Sequence, residues 1–232
     1  MLLLPEDCLT GYPGEKDAAF KVAIASDGAE IRQLKEIARK NRIDIAAGYI
    51  ERAGEHCHSA HCIARADGSH TIVRKYSVDD RDQRIGITPA LAQEDELRVG
   101  GAKAALAICM DGNDAFFATA KRKGAKIILH PSGGACAVSA HEGDADAAKI
   151  DAAERAGDRK CLESAQKRAR DLEAVYLVAN TIGFDGERGY PGNSFIVSAG
   201  GEVLAYLEGT AIIEKMKEGV VCATVMVDES KR

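Results

Sequence analysis

Strand-like and helix-like stretches alternate along this chain, but hairpins keep interrupting the crossovers, and that combination excludes most α/β architectures. Ile31, Leu34, Ile37 and Ala38 recur at helical spacing, so Gly28–Asn41 reads as an amphipathic helix with one face turned inward. Ile43–Ile50 follows as a buried strand. His61–Arg65 and Thr71–Tyr76 flank the turn "ADGS", where Asp-Gly tolerates positive φ and predicts a hairpin. Ala115–Lys123 reads as a helix that Gly124 ends, and "KIILH" is the next strand. Asp158–Glu173 is the longest helical candidate, followed by the strand "AVYLVAN". Ser194–Val197 and Glu202–Leu207 make another hairpin through "SAGG", and Val220–Val227 reads as a last strand. The charged, alanine-rich stretch Ser139–Lys160 reads as a solvated surface excursion. Helices covering a mixed sheet fit this order; an all-parallel doubly wound fold does not.

At 232 residues and 46% hydrophobic, the chain can bury one large core, so a single domain over residues 1–232 is expected. A net charge of -5 gives no reason to expect nucleic acid as a partner. No apolar run approaches the roughly 18 residues that span a bilayer, so no membrane partner is expected. "MLLLPEDC" is too short and too acidic for a signal peptide. Seven scattered cysteines suit reduced cytoplasmic thiols better than a disulfide framework. Neither GxGxxG nor GxxxxGK[ST] opens a helix, so nucleotide phosphate loops have no support.

The chemistry-bearing stretch is "LAICMDGND", residues 106–114, where a small apolar run stops at Cys109. A cysteine between a strand and a helix sits near unpaired backbone N–H groups and the positive end of the helix dipole, which favour the thiolate. The same N–H groups suit an oxyanion formed when sulfur attacks a carbonyl carbon. A plain core thiol fits the same pattern. Two further strand ends add to it. "LLLPEDCLTGYP" stops at Glu6, and "TIVRKYSV" puts Lys75 at the end of an apolar run. A carboxylate to take a thiol proton, a thiolate to attack and a lysine to steady the oxyanion make up acyl-transfer chemistry.

"LPEDCLTGYP", "VRKYSV", "AICMD" with "GAKIILHPS", "RARDLEAVYLVANTIG" and "YPGNSFIVSAGGEVLA" together resemble the nitrilase, or carbon-nitrogen hydrolase, superfamily, in its chain order and from Leu2 to about Val227. The resemblance implies an α/β fold, the four-layer α-β-β-α sandwich. It implies a Glu-Lys-Cys triad of Glu6 as general base, Lys75 as oxyanion-stabilising cation and Cys109 as nucleophile. The Met110 backbone N–H would help hold the oxyanion. It further implies hydrolysis of a small linear amide or carbamoyl compound, with water as co-substrate, no metal and no organic cofactor. A cytoplasmic homodimer or higher homo-oligomer is expected. "C-x-D" favours an amidase over a nitrilase. The alternative is a catalytically silent binding or assembly subunit.

Three departures from the family pattern stand out. The chain reaches its "PE" motif without the usual preceding strand and helix, so an N-terminally truncated sandwich, marginally stable or covered by oligomerisation, is expected. Many members carry a further Glu between the lysine and the cysteine; its counterpart here reads as Gln83, with Asp80 and Asp82 nearby. The residues after the nucleophile, "CMDGNDAF", differ from the usual pocket wall. His130 is expected at a strand end lining the site, and Asn180 next to the pocket as either a substrate contact or a turn cap. "HCHSAHC" is rich in ligand types, but strand alternation sends Cys57, His58, His61 and Cys62 to opposite faces, so a metal is not expected.

Overall fold

The structure is a computed structural model that describes residues 1–91 and 96–227. Among the described residues, twelve strands and five α-helices follow in the order β1 (Leu2–Leu3), α1 (Lys16–Val22), α2 (Ala29–Asn41), β2 (Ile45–Ala53), β3 (His56–Ala64), β4 (His70–Arg74), α3 (Asp80–Arg84), β5 (Leu97–Val99), β6 (Ala102–Leu106), α4 (Asp114–Lys123), β7 (Ile127–Ser132), α5 (Ala147–Leu172), β8 (Val175–Asn180), β9 (Ile182–Phe184), β10 (Gly189–Pro191), β11 (Ser194–Val197) and β12 (Val203–Leu207). One sheet has the order β1-β2-β3-β4, with β1 parallel to β2 and the rest antiparallel. A second runs β12-β11-β8-β7-β6-β5, parallel only across β6-β7-β8, and β9 and β10 pair antiparallel as a separate two-stranded sheet.

Period-two alternation sorts the strand residues into layers. On one face of β2 and β3, Ile45, Ala47, Tyr49, Ala60 and Cys62 pack against Ile31, Leu34 and Ala38 of α2. On the other face, Ala46 and Ile63 meet Leu106, Ile108 and Leu129 of the second sheet. Beyond that sheet, Ile128, Tyr176 and Phe195 pack against Phe117 and Ala120 of α4 and Ala165 and Ala169 of α5. Helix, sheet, sheet and helix are therefore the four layers of an α-β-β-α sandwich.

Local chemistry accounts for the ends of α4. Asn113 caps its start by accepting the Phe116 N–H at 3.0 Å, and Gly124 ends it at φ 72. The "ADGS" hairpin forms as the turn residues require, with Gly68 at φ 89.

Two sequence expectations fail. Helix α5 starts at Ala147, so the second part of Ser139–Lys160 is regular helix and not an excursion, although only Ala140, Ala147 and Asp158 of the stretch are buried. Alanines favour helix, and Ala147 with Ile150 packs against Ala140 and Ile212, which gives the first turns a small core of their own. Val220–Val227 forms no strand. Its β-prone residues find no hydrogen-bonded neighbour among the described residues, and Val220 is 74% and Met226 94% exposed.

Gly48, in the middle of β2, decides where the segment after β1 can lie. A Cβ there would sit 2.4 Å from the Asp7 nitrogen and 2.6 Å from both the Pro5 oxygen and His61 Cε1. Only a bare α-carbon lets residues 5–7 pack down on the sheet. Gly157, exposed within α5, has nothing within 4 Å of its would-be Cβ. Gly48→Ala is therefore expected to lower stability by about 1–3 kcal/mol or more, as overpacking does. Gly157→Ala should raise it by about 0.5–1 kcal/mol. Denaturant midpoints of the two variants check both signs.

Candidate active site

The site begins where the chain leaves β1. Pro5 ends the pairing with β2, and Glu6 and Asp7 turn inward, Asp7 at φ 49 and Glu6 only 6% exposed. Lys75 stands one residue past β4. Its N–H donates to the Ser59 carbonyl at 2.8 Å and its carbonyl accepts from Ala90 at 3.0 Å, so the backbone is fixed on both sides. The Lys75 ammonium is buried and donates to Glu6 Oε1 at 2.8 Å and Asp82 Oδ2 at 2.7 Å.

Asp82 reaches that ammonium because α3 opens with a capping box. Asp79 accepts the Arg81 and Asp82 N–H groups, and Asp82 accepts the Asp79 N–H. Its other oxygen accepts the Tyr12 hydroxyl at 2.6 Å. Gln83, the next residue, is exposed on α3. The expected Gln83 counterpart is thus corrected: its neighbour Asp82 supplies the second group at the lysine, and it is a carboxylate. A D-x-x-D box in "DDRD" is the sequence signal that separates the two, since it turns the third helical residue back toward the cap.

Cys109 follows β6 at φ 49, in a one-turn 3-10 helix, Cys109–Asp111. Such a φ is uncommon for a residue with a side chain, and backbone strain of this kind gathers at functional sites. His130 holds the turn: its Nε2–H donates to the Cys109 carbonyl at 2.9 Å while Nδ1 accepts the Tyr176 hydroxyl at 2.7 Å. A carbonyl only accepts, so the bond fixes the Nε2–H tautomer. Asp111, buried, accepts the Ser77 N–H at 2.7 Å and the Tyr76 N–H at 3.2 Å, tying the cysteine turn to the residues just after Lys75.

Burial pushes the Glu6 carboxyl above its usual range, and Lys75 and a hydrogen bond with Cys109 pull against that rise. Burial opposes the charge on Lys75, but Glu6 and Asp82 outweigh it and hold the ammonium above the ordinary lysine range. The Cys109 thiol is pushed up to about 11 by burial and then by the Glu6 charge, against Lys75, the Ser132 hydroxyl and the Gly133 N–H. The expected resting thiolate is therefore corrected. Helix α4 starts only at Asp114, too far along the chain for its dipole to act on the sulfur, and Glu6 opposes a second negative charge.

The site therefore holds a buried lysine shared by two carboxylates, beside a cysteine on a strained turn. The family described as carbon-nitrogen hydrolase matches residues 1–229. The chain belongs to that family. No curated protein matches its sequence. Solved structures share the fold. An amidase from Nesterenkonia sp. is 21% identical with a TM-score of 0.68, over 90% of this chain and 73% of that one. A variant of the Nesterenkonia sp. AN1 amidase, with acrylamide added at its active-site cysteine, is 20% identical with a TM-score of 0.69, over 90% and 76%. The glutamine-dependent NAD+ synthetase from Acinetobacter baumannii is 14% identical with a TM-score of 0.67, over 90% and 36%.

Within this carbon-nitrogen hydrolase fold, the remaining sequence candidates divide. Met110 follows the cysteine in the 3-10 turn, its side chain 51% exposed. His130 is near the site, but both ring nitrogens are engaged by protein, which makes it a support for Cys109 and not a wall for substrate. Asn180 is likewise engaged: Oδ1 accepts the Gly134 and Thr181 N–H groups at 3.0 and 3.1 Å, and Nδ2 donates to Asn193 at 2.9 Å. Of the two readings of Asn180, the structure supports the loop cap. On β3, Cys62 faces α2 while Cys57 faces the other side, and no cluster of three metal-ligating residues occurs among the described residues.

With the sulfur protonated at rest, a titration of thiolate ultraviolet absorbance from about pH 6 to about pH 9, comparing the protein with its Cys109→Ala variant, should show no difference step. A step near neutral pH belonging to Cys109 would contradict the electrostatics above.

Proposed function

We propose that this protein hydrolyses the carbon–nitrogen bond of a small linear amide or carbamoyl compound through a cysteine thioester. The observation that carries the reading is the buried contact of Glu6 with Lys75 beside the Cys109 thiol. Family membership supports the reaction class. Glu6, ionised and hydrogen-bonded to the thiol, takes its proton as Cys109 Sγ attacks the amide carbon. The developing oxyanion is held by the Lys75 ammonium and the Met110 N–H. When the tetrahedral species collapses, Glu6 returns the proton to the departing nitrogen, ammonia or an amine leaves, and a thioester stays on Cys109. Water then gives a proton to Glu6, attacks the thioester carbon and releases the acid, while the proton goes back to sulfur.

Asp82 keeps Lys75 charged through the cycle, since a lysine that lost its proton would no longer draw electron density from the carbonyl oxygen. The silent-subunit alternative drew part of its support from Gln83, and Asp82 removes that part. All seven cysteines are free, which supports a reducing, cytoplasmic setting. Among the described residues no helix is long and apolar enough to cross a membrane. A homo-oligomeric state is part of the same reading and rests on the family resemblance.

Mass spectrometry of a panel of amides, carbamoyl compounds and nitriles tests the proposal. Glu6→Gln should lower kcat by about 10²–10⁴ for whichever substrate is accepted, the usual weight of a general base. Cys109→Ala should abolish both turnover and the covalent adduct, and Gln83→Ala should leave turnover near that of the parent. Turnover that survives Cys109→Ala would refute the mechanism.

The pH profile supplies a second check. Glu6 must be ionised to accept a proton, so activity falls as pH drops through its pKa, which burial lifts above 4.5. The acid limb of kcat/KM should therefore lie above pH 4.5 and move with a change at Lys75. No alkaline limb is expected near the ordinary thiol value of about 8.5, because sulfur ionises only in concert with Glu6.

A further inference from the structure

A cavity of about 650 Å³ opens over Cys109, and its wall carries four charged residues: Asp79, Arg81, Glu187 and Arg188. Their surroundings differ. The Asp79 carboxylate caps α3 and is spent on the Arg81 and Asp82 N–H groups. Arg81 lies over the Tyr12 ring at 3.8 Å, donates to the Tyr190 hydroxyl and sits 3.7 Å from Asp185, so its charge is partly offset. Glu187 is exposed to solvent. Arg188 is half-buried, and its guanidinium has no ion pair or hydrogen bond among the described residues.

The backbone of Arg188 is nonetheless held firmly. Its N–H donates to Asp185 Oδ1 at 2.6 Å, and its carbonyl accepts from the Asp185 N–H at 3.1 Å, closing the β9–β10 hairpin. The next carbonyl, of Gly189, accepts the Cys136 N–H at 2.8 Å, which fastens the hairpin to the loop that forms the opposite wall. A guanidinium partly withdrawn from water without an anion is unfavourable, and its planar fork matches a carboxylate.

We infer that the amide taken by this site also carries a carboxylate, received by Arg188 with Arg81 as the second cation. The inference rests on the amide-hydrolase reading and names its substrate class: the monoamide of a short dicarboxylic acid. A fixed Arg188 in the wall selects the acid end, while the amide carbon lies at Cys109.

Three amides of similar length separate the possibilities: succinamate, ending in a carboxylate; levulinamide, ending in a neutral ketone; and γ-aminobutyramide, ending in an ammonium. Succinamate should be preferred over levulinamide in kcat/KM by about tenfold to hundredfold, the span of a charged hydrogen bond. Arg188→Gln should bring that ratio toward one, through KM and not kcat, and Arg188→Lys should restore part of it. Equal use of succinamate and levulinamide overturns the inference and leaves amide hydrolysis standing. So does a preference for γ-aminobutyramide, which would give the recognition to Glu187, or a ratio indifferent to Arg188→Gln. If none of the three is hydrolysed and no amide of the wider panel forms an adduct on Cys109, the hydrolase reading fails and this inference falls with it.

Discussion

The Lys75 ammonium is the contact on which the rest of the site depends. Withdrawing a cation from water costs several kcal/mol, and only close anions with good geometry offset that. Glu6 at 2.8 Å and Asp82 at 2.7 Å meet the condition. Three segments must converge to make it: the turn after β1, the end of β4 and the first turn of α3. Each is fixed by a device of its own. Gly48 gives the first turn room, the Ser59 and Ala90 bonds hold the second, and the Asp79 capping box aims the third. Removing one partner would leave a buried charge uncompensated, at about 3–5 kcal/mol, so the ion cluster is both a structural requirement and the electrostatic centre of the proposed chemistry.

The same cluster explains why sulfur rests as a thiol. The Glu6 charge bears on Cys109, and a second negative charge beside it is resisted. Strain supplies what charge does not. Asp7 and Cys109 both sit at φ 49, each next to or at a residue of the site. A left-handed residue turns the chain sharply, which lets Glu6 and Cys109 face each other from two different sheets. His130 and Asp111 then keep the cysteine turn from relaxing, one through the Cys109 carbonyl and the other through the Tyr76 and Ser77 N–H groups.

Local signals made much of the molecule legible. Helices α2 and α4, the "ADGS" hairpin and the buried strand β7 follow from spacing, caps and glycines, all of which act within a few residues. Motif order in the sequence points to Glu6, Lys75 and Cys109 as one group. What sequence reading missed depends on partners far along the chain. Gln83 and Asp82 are adjacent, and only the capping box, with Tyr12 arriving from the other side, decides which one meets the lysine. Asn180 ends β8 as expected, while β7 runs two residues past His130 to Ser132, and the roles of both follow from Tyr176 and Asn193, whose arrival no spacing rule announces. The start of α5 depends on a small core with Ile212, and Val220–Val227 lacks the neighbour that would make it a strand.

The charges around Glu6 complete the electrostatic argument. Asp7 is buried beside it, its Oδ1 accepting the Ser59 hydroxyl at 3.0 Å and its Oδ2 without a partner. Burial and then Glu6 hold the Asp7 carboxyl well above the usual range, which favours its protonated form beside an ionised Glu6. Burial also lowers His61 to about 4, which keeps that ring neutral. The charges that act on sulfur are then those of Glu6 and Lys75, with Asp82 acting through its contact with Lys75. Moving a proton from Cys109 to Glu6 leaves the total charge of sulfur and these three groups unchanged and carries the negative charge from carboxylate to sulfur. Nothing new has to be charged in a site shielded from water. A later shift of that charge to the carbonyl oxygen is drawn toward an ammonium that two carboxylates have already fixed in place, and this pre-set orientation costs no reorganisation during the reaction.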